Sequence, residues 1–216
     1  MPITVPFETR TDEYDAWYDE YAGAYHAERA ALERALSAAG PVDRTCAVEV
    51  GVGTGRFAAS LGVSVGIDPA GAPLEYARDR GVEPVRGVAE FLPIADDSLD
   101  LLLLTTVLCF VDDLEATLAE CRRVLAADGA LVVGTLDRES PMGQVYREHK
   151  SENPFYAPAT FHAAVDLLDG VEEAGFAVEE RYQTVFGDSA DVDSADPEIR
   201  EGHGEGLFAV FRARPR

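Results

Sequence analysis

Three glycines in alternation, Gly51, Gly53 and Gly55, stand between the apolar run Cys46–Val50 and a helical segment reaching Leu61. Glycine lets a backbone turn sharply and lets a ligand approach the main chain closely. An acid, Glu49, sits two residues before the first of them. A second acid, Asp68, lies 17 residues beyond Gly51, at the end of the next apolar run, in Gly66-Ile67-Asp68-Pro69. A carboxylate in that place can accept both hydroxyls of a ribose. Strand, glycine loop, helix, strand and acid together form the layout of a nucleoside-cofactor site.

Two cofactor chemistries compete for it. A dinucleotide site wants G-x-G-x-x-G, with its pyrophosphate at the helix N-terminus. Here the third glycine comes one residue early, and the sixth position is Arg56, too bulky for close helix–strand packing. Glu49 would also add negative charge beside a pyrophosphate. S-adenosylmethionine has no phosphate, and its amino and sulfonium groups are cationic, so it suits the loop better.

The elements that must position these residues follow a βα rhythm. Residues 10–39 read as one helix, with Trp17, Tyr21, Ala24, Tyr25, Leu32 and Leu36 at roughly helical spacing and Gly40-Pro41 as its stop. Strands are expected at Cys46–Val50, Val63–Ile67, Val82–Arg86, Leu99–Thr105 and Gly129–Leu136, with helices at Pro73–Arg80 and Leu114–Leu125. Leu99–Thr105 is apolar almost throughout, as a central parallel strand should be. Alternating β and α units imply a parallel sheet covered by helices. Beyond Leu136 the rhythm changes. Asp137–Tyr156 is polar and aromatic, Thr160–Ala174 reads as a helix with Thr160 as its cap, and Phe176–Phe186 and Leu207–Arg212 read as strands flanking an acid-rich loop, Gly187–Gly206.

Composition limits the classes. The 216 residues make one domain, 47% apolar, which is globular. Forty acids against 18 bases give a formal charge of −22, and Lys150 is the only lysine. Such a surface repels a phosphate backbone, so nucleic acid is not an expected partner. Acid excess with so little lysine also points to a salty, halophilic cytoplasm. The run Leu99–Val111, interrupted by Asp100, is too short to span a bilayer, and Met1–Arg10 lacks the apolar core of a signal peptide. Neither a membrane partner nor export is expected. Cys46, Cys109 and Cys121 have no metal-like spacing; Cys46 and Cys109 read as buried thiols in a reducing, cytoplasmic compartment. Gly62-Val63-Ser64-Val65-Gly66 matches a hydrolase elbow, but helix precedes strand there, the reverse of what that motif needs.

Glu49-Val50-Gly51-Val52-Gly53-Thr54-Gly55 resembles the first motif of the class I S-adenosylmethionine-dependent methyltransferases, in the small-molecule branch that includes quinone-biosynthesis-type enzymes. Ile67-Asp68-Pro69 is similar to the family's acidic motif. Gly87-Val88-Ala89-Glu90-Phe91-Leu92-Pro93 resembles the segment that cups adenine, with Val88 where the family usually has an aspartate accepting from the adenine amino group. Ser98-Leu99-Asp100 and Arg122-Arg123-Val124-Leu125-Ala126-Ala127-Asp128-Gly129 match as well, so the likeness covers residues 48–136. Thr106–Asp113, Asp137–Ser140 and Glu201–Gly206 also resemble a small prokaryotic subgroup, some members of which carry amine N-methyltransferase labels.

The resemblance implies an α/β, Rossmann-like, seven-stranded, mostly parallel sheet of order 3-2-1-4-5-7-6, strand 7 antiparallel, with helices on both faces. It implies one domain with an N-terminal helical lid (1–40), a cofactor-binding core (41–136) and a substrate-side segment with the last two strands (137–216). Glu49, Gly51, Val52, Gly53 and Gly55 would hold the methionine side of the cofactor, Asp68 and Pro69 the ribose, and Ala89 with Glu90 the adenine. Thr105 and Thr106 would face the transferable methyl.

Ligands of open α/β sheets bind outside the carboxyl ends of the strands. Trp17, Tyr18, Thr106, Tyr146 and His203 are therefore substrate-side candidates, with Tyr14 and Tyr21 beside them, and Glu148 and Glu152 could attract a cationic amine. A general base is needed only where the nucleophile arrives protonated; His149 and His203 are the candidates, and His26 and His162, read as lying on helices, are structural. The expected reaction is methyl transfer from S-adenosylmethionine to a small-molecule acceptor, with no metal. A nicotinamide-dependent oxidoreductase and a non-catalytic S-adenosylmethionine-binding module are the alternatives. A macromolecular acceptor is disfavoured, because no basic stripe is visible.

Overall fold

The computed structural model of the chain describes residues 3–37, 46–193 and 196–216. Five strands, β1 (Ala47–Val50), β2 (Val65–Asp68), β3 (Glu83–Arg86), β4 (Leu99–Thr105) and β5 (Leu125–Leu136), pair in parallel. Three more, β6 (Phe176–Thr184), β7 (Arg200–Glu201) and β8 (Phe208–Pro215), complete one sheet of order β3-β2-β1-β4-β5-β8-β6-β7. The last long strand, β8, inserts antiparallel between β5 and β6. The expected order therefore holds for seven strands. The eighth, β7, is a two-residue edge strand inside what the sequence presents as the Gly187–Gly206 loop; acids and glycines there hide its pairing of Tyr182 with Glu201 and Gln183 with Arg200.

The leucine run in β4 is covered on both faces. Leu101 and Leu103 pack into a cluster with α3 (Ala22–Ser37), α4 (Arg56–Leu61) and α5 (Gly71–Asp79). Leu102 and Leu104 face the other cluster, with α6 (Leu114–Val124) and α8 (Ala164–Glu173). All four are fully buried, worth about 1.5–3 kcal/mol each in apolar transfer. That double burial is why the strand reads as a continuous apolar run instead of an alternating one.

The N-terminal helix is not continuous. It is three helices, α1 (Val5–Thr9), α2 (Thr11–Glu20) and α3, broken at Arg10 (φ −134°) and at Tyr21 (φ −108°). The Gly40-Pro41 stop lies outside the described residues. The break at Tyr21 lets two amphipathic faces point differently. The α3 face Ala24, Ala27, Ala31, Leu32 and Ala35 lies on the sheet, while α2 carries Trp17 and Tyr18 over the carboxyl ends of the strands. Other boundaries also move. Asp137–Tyr156 contains a helix, α7 (Pro141–His149), capped by the Ser140 hydroxyl. Thr160 is not a cap; α8 starts four residues later, and buried Asp137 accepts from the Ala164 N–H at 3.0 Å. His162 precedes α8 and so is not helical. Cys46 is exposed, because it lies in the turn before β1; Cys109 and Cys121 are buried. No helix among the described residues is long and apolar enough to cross a membrane.

Glu8 and the Arg56 cluster are among the polar ties that hold the N-terminal helices down. Glu8 accepts from the N–H groups of Gly71 (2.6 Å) and Ala72 (3.0 Å), the free donors at the start of α5. Arg56, the first residue of α4, donates to both oxygens of Asp15 (2.9 and 2.8 Å) and both of Asp19 (2.8 Å each) on α2. Arg80 donates to Asp15 (2.8 Å) and to the Thr54 carbonyl (2.8 Å). Burial pushes the Asp15 carboxyl up, but hydrogen bonds from Arg56, Thr54 and Arg80 outweigh it and hold the pKa at about 2, below the ordinary 3.8. A depressed folded pKa stabilises the fold above the unfolded value and ceases to do so as pH falls through the folded one. Asp15→Asn should therefore lower unfolding free energy near pH 7 by about 1–2 kcal/mol after solvent screening. The gap to wild type should narrow as pH falls from about 4 towards 2, read by urea unfolding at a series of pH values.

Candidate active site

The glycine loop closes onto its neighbours through the backbone. The N–H groups of Gly51 and Val52 both donate to the Ile67 carbonyl (2.8 and 3.1 Å), tying the end of β1 to β2. Gly51 has φ +73°, and a Cβ there would meet Val107 Cγ2 at 2.3 Å. Gly55, at φ +79°, opens α4, and a Cβ on it would lie 2.8 Å from Ala77 Cα. Gly55 thus gives the close α4–α5 contact although it comes one position early for a dinucleotide fingerprint. Arg56 leaves the helix–strand interface altogether and turns to Asp15 and Asp19.

Asp68 does more than end β2. Its Oδ2 accepts from the Gly53 N–H (2.9 Å) and its Oδ1 from the Ala70 N–H (2.8 Å), so the carboxylate shapes the loop from the far side. Burial pushes its pKa up, against those two hydrogen bonds. Glu49 is 1% exposed, and burial pushes its pKa up to about 8. Its Oε2 and the Thr105 hydroxyl are buried, and among the described residues neither has a partner in hydrogen-bond geometry. A buried polar atom left unpaired costs about 1–3 kcal/mol, so a ligand that supplies donors is favoured here.

Beside this loop lies an open cleft of about 710 Å³, its solvent-filled mouth included. Gly51, Gly53, Asp68, Pro69, Ala89, Glu90, Thr105 and Thr106 line it, as do Val88, Ile67 and Val107. Glu49, Val52 and Gly55 do not: Glu49 is sealed behind the loop, Val52 packs against Gly66, and Gly55 against Ala77. Glu90 spends its Oε1 on the N–H groups of Asp112 (2.7 Å) and Asp113 (3.4 Å), at the loop leading into α6. Ile3 just before α1, Phe7 of α1 and Tyr14 of α2 also line the cleft.

A second cavity, of about 620 Å³ with its open mouth included, adjoins the first. Phe7, Tyr14, Thr106 and Phe110 border both. Thr106 sits at the junction with φ +53°, a strained conformation for a β-branched residue, held by its N–H to the Gly134 carbonyl (2.8 Å). Five more aromatics line the second wall, Trp17 and Tyr18 of α2, Tyr146 of α7, and Phe155 and Tyr156 beyond it, together with Leu136, Leu207 and the polar Glu28, Asn153 and Ser189. Phe7 packs edge-on against Tyr14 and Phe110, with ring centroids 5.2 Å apart in each case. The turn carrying Phe155 and Tyr156 is braced by the single lysine, whose ammonium donates to the Ala159 carbonyl (2.6 Å).

The substrate-side candidates Trp17, Tyr18, Thr106 and Tyr146 come together here. The histidines do not. His149 ends α7 on the solvent side, where Nδ1 contacts Glu152 at 3.0 Å, and His203 lies in the turn between β7 and β8; neither lines a cavity. Glu148 and Glu152 are exposed surface acids. The acid that does border the second cavity is Glu28, which sequence reasoning missed. A signal existed: Glu28 falls in register with Ala24, Ala27, Ala31 and Leu32, an acid on the otherwise apolar face of α3. Phe7, Phe155 and Tyr156 gave no comparable sign, because they reach the site from segments distant in sequence.

A mostly parallel sheet with a glycine loop after β1, an acid at the end of β2 and a cleft at the strands' carboxyl ends has the layout of a nucleoside-cofactor site. A family model described as a methyltransferase domain matches residues 48–133. A solved structure from Thermotoga maritima, described as an S-adenosylmethionine-dependent methyltransferase, "possible histamine N-methyltransferase", is 39% identical with a TM-score of 0.89, covering 97% of this chain and 98% of its own. An uncharacterised protein of Methanocaldococcus jannaschii is 35% identical over 207 residues, 96% of this chain and 97% of its own. Geranyl diphosphate C-methyltransferase of Streptomyces coelicolor, solved with S-adenosyl-L-homocysteine, shares the fold at 12% identity, with a TM-score of 0.61 over 87% of this chain and 79% of its own. The chain belongs to the S-adenosylmethionine-dependent methyltransferases, and S-adenosylmethionine is its methyl donor. The nicotinamide alternative finds no support. Gly51→Ala should destabilise the fold by about 1–3 kcal/mol, through the left-handed backbone and the overlap with Val107. Urea unfolding reads this, and a change within error of zero would mean that the loop is not held as described.

Proposed function

We propose that this protein transfers the methyl group of S-adenosylmethionine to a small-molecule amine held in the aromatic cavity. The observation that carries the reading is that two cavities meet at one wall, shared by Phe7, Tyr14, Thr106 and Phe110. One has the loop and acid that suit the cofactor; the other is a largely apolar space where an acceptor can reach the cofactor's methyl end. The description carried by the Thermotoga maritima protein points to the same acceptor class.

In this reading Gly51 and Gly53 expose backbone to the methionine side, Val52 and Gly55 fix the loop from behind, the Thr105 hydroxyl on the cleft wall supplies a partner for polar groups there, and Glu49 backs the loop as a buried acid. Asp68, with Pro69 beside it, takes the ribose hydroxyls with the lone pairs left over from Gly53 and Ala70. Ala89, Val88 and Ile67 form an apolar slot for adenine, and Glu90 acts by fixing the neighbouring loop. The segments then divide the work: residues 1–40 as lid, 41–136 as cofactor core, 137–216 as the acceptor side.

S-adenosylmethionine supplies a methyl on a sulfonium sulfur, so that a bond from the acceptor to carbon forms as the carbon–sulfur bond breaks and its electron pair stays on sulfur. The protein's task is alignment and exclusion of water. The aromatic lid does both, since it walls off the junction where the two ligands would meet.

Calorimetric titration with S-adenosylhomocysteine tests the cofactor half of this reading. Binding is expected in the micromolar range, and a comparison of dilute buffer with molar potassium chloride tests whether the chain's acid excess needs salt. Asp68→Asn should weaken binding by about 1–3 kcal/mol, the loss of a hydrogen bond to a charged group. Unchanged affinity in that variant would overturn the ribose assignment. Absence of binding to the folded wild type in both buffers would overturn the site. Turnover on an amine panel separates an enzyme from a non-catalytic binding module.

A further inference from the structure

Glu28 is a carboxylic acid set into an aromatic wall. It stands on the buried face of α3, one turn after Ala24 and one turn before Leu32, and is only 5% exposed. Among the described residues it has no hydrogen bond and no ion pair, and it borders the second cavity. The titratable groups facing it are the phenols of Tyr14 and Tyr18 on α2, Tyr146 on α7 and Tyr156 beyond α7. Burial raises the pKa of each, so all four are neutral near pH 7. No cation lines the cavity among the described residues. Burial pushes Glu28 itself up to about 8. An unpaired buried acid lowers stability unless a bound partner compensates it. Nothing in the packing of α3 needs it, since alanine and leucine fill every neighbouring place on that face.

We propose that the second cavity binds the methyl acceptor as an organic cation, a primary or secondary ammonium on a flat apolar body, with Glu28 as its counter-ion and proton acceptor. The proposal rests on the reading of the two cavities as cofactor and acceptor sites. Aromatic faces of Trp17, Tyr18, Tyr146 and Tyr156 suit both the flat body and, by cation–π attraction, the charge. Glu28 takes one proton from the ammonium, which gives the nitrogen the lone pair it needs to attack. After transfer the methylated nitrogen leaves as an ammonium, and Glu28 returns its proton to solvent. A quaternary ammonium would bind but could not react, because it has no proton to surrender. The exposed histidines are not required for this.

Trp17, the only tryptophan, lies on the wall of this cavity, so its fluorescence reports occupancy directly. The experiment titrates wild-type protein, with and without saturating S-adenosylhomocysteine, with three probes of one shape: 2-phenylethylamine, 2-phenylethanol and 3-phenylpropionate. The amine is expected to bind about tenfold or more tightly than the alcohol, and the carboxylate least. Glu28→Gln should erase the preference for the amine while S-adenosylhomocysteine affinity stays unchanged. Glu28→Asp should keep part of the preference. Glu28→Gln should melt no lower than wild type at pH 8–9, because it removes an uncompensated buried charge. Equal binding of amine and alcohol, no amine binding, or a preference that survives Glu28→Gln would each overturn the proposal. Failure of S-adenosylhomocysteine to bind, with amine binding intact, would instead overturn the cofactor reading, so the two fail separately.

Discussion

The charged contact of Arg56 with Asp15 and Asp19 is the constraint on which the aromatic cavity of this molecule depends. Arg56 follows the glycine loop directly, as the first residue of α4; Asp15 and Asp19 lie on α2. The guanidinium meets both carboxylates bidentately, the geometry in which such pairs are strongest. Arg80 adds a second cation on Asp15 and reaches back to the loop carbonyl of Thr54. One cluster therefore joins α2, the glycine loop and the end of α5. The Tyr18 ring lies under the Arg56 guanidinium, 5.4 Å from centroid to carbon, so the same contact orients an aromatic of the second cavity. Free this joint, and α2 keeps the Tyr76 hydroxyl on Asp12, Glu8's tie through α1 and its aromatic packing to hold it over the strands' ends.

The acids of this chain fall into groups that net charge cannot distinguish. Most are on the surface, where they set the −22 and do little for the fold. Asp15 is partly buried between two arginines, which hold it ionised. Asp68 is buried but served by two backbone N–H groups, which let it organise the glycine loop. Glu49 and Glu28 are buried with little or nothing to offset the loss of water, one behind the cofactor cleft and the other on the cavity beside it. The same functional group acts as clamp, loop organiser and unsatisfied acceptor according to what surrounds it. Both unsatisfied acids lie against the two cavities that share Tyr14, and that phenol feels Asp68, Glu49 and Glu28 at once.

Much of the architecture was legible in the residues. The glycine loop, Asp68 and the five parallel strands carry strong local signals: turn chemistry, a doubly covered leucine run and repeating βα units. Boundaries failed where local signals were outweighed by contacts distant in sequence. Residues 10–39 have helical spacing throughout, yet the chain breaks at Tyr21, because the stripe of α3 packs on the sheet while the aromatics of α2 turn over the cleft. Thr160 looks like a cap, but buried Asp137 does that work from 27 residues away. The edge pair of β7 has no apolar alternation to announce it.

By itself, the sequence determined the fold class, the cofactor loop and its acidic partner, since each depends on residues adjacent in the chain or one βα unit apart. Only the tertiary structure decided which polar groups share the second, aromatic cavity. His149 and Glu152 meet each other on the surface instead of in the site, and Glu28 stands where a base was sought among the histidines. Helical periodicity does place Glu28 on an apolar face. What that face meets, an aromatic cavity assembled from α1, α2, α7 and the turn beyond it, is a product of packing between segments up to 150 residues apart, which no local pattern encodes.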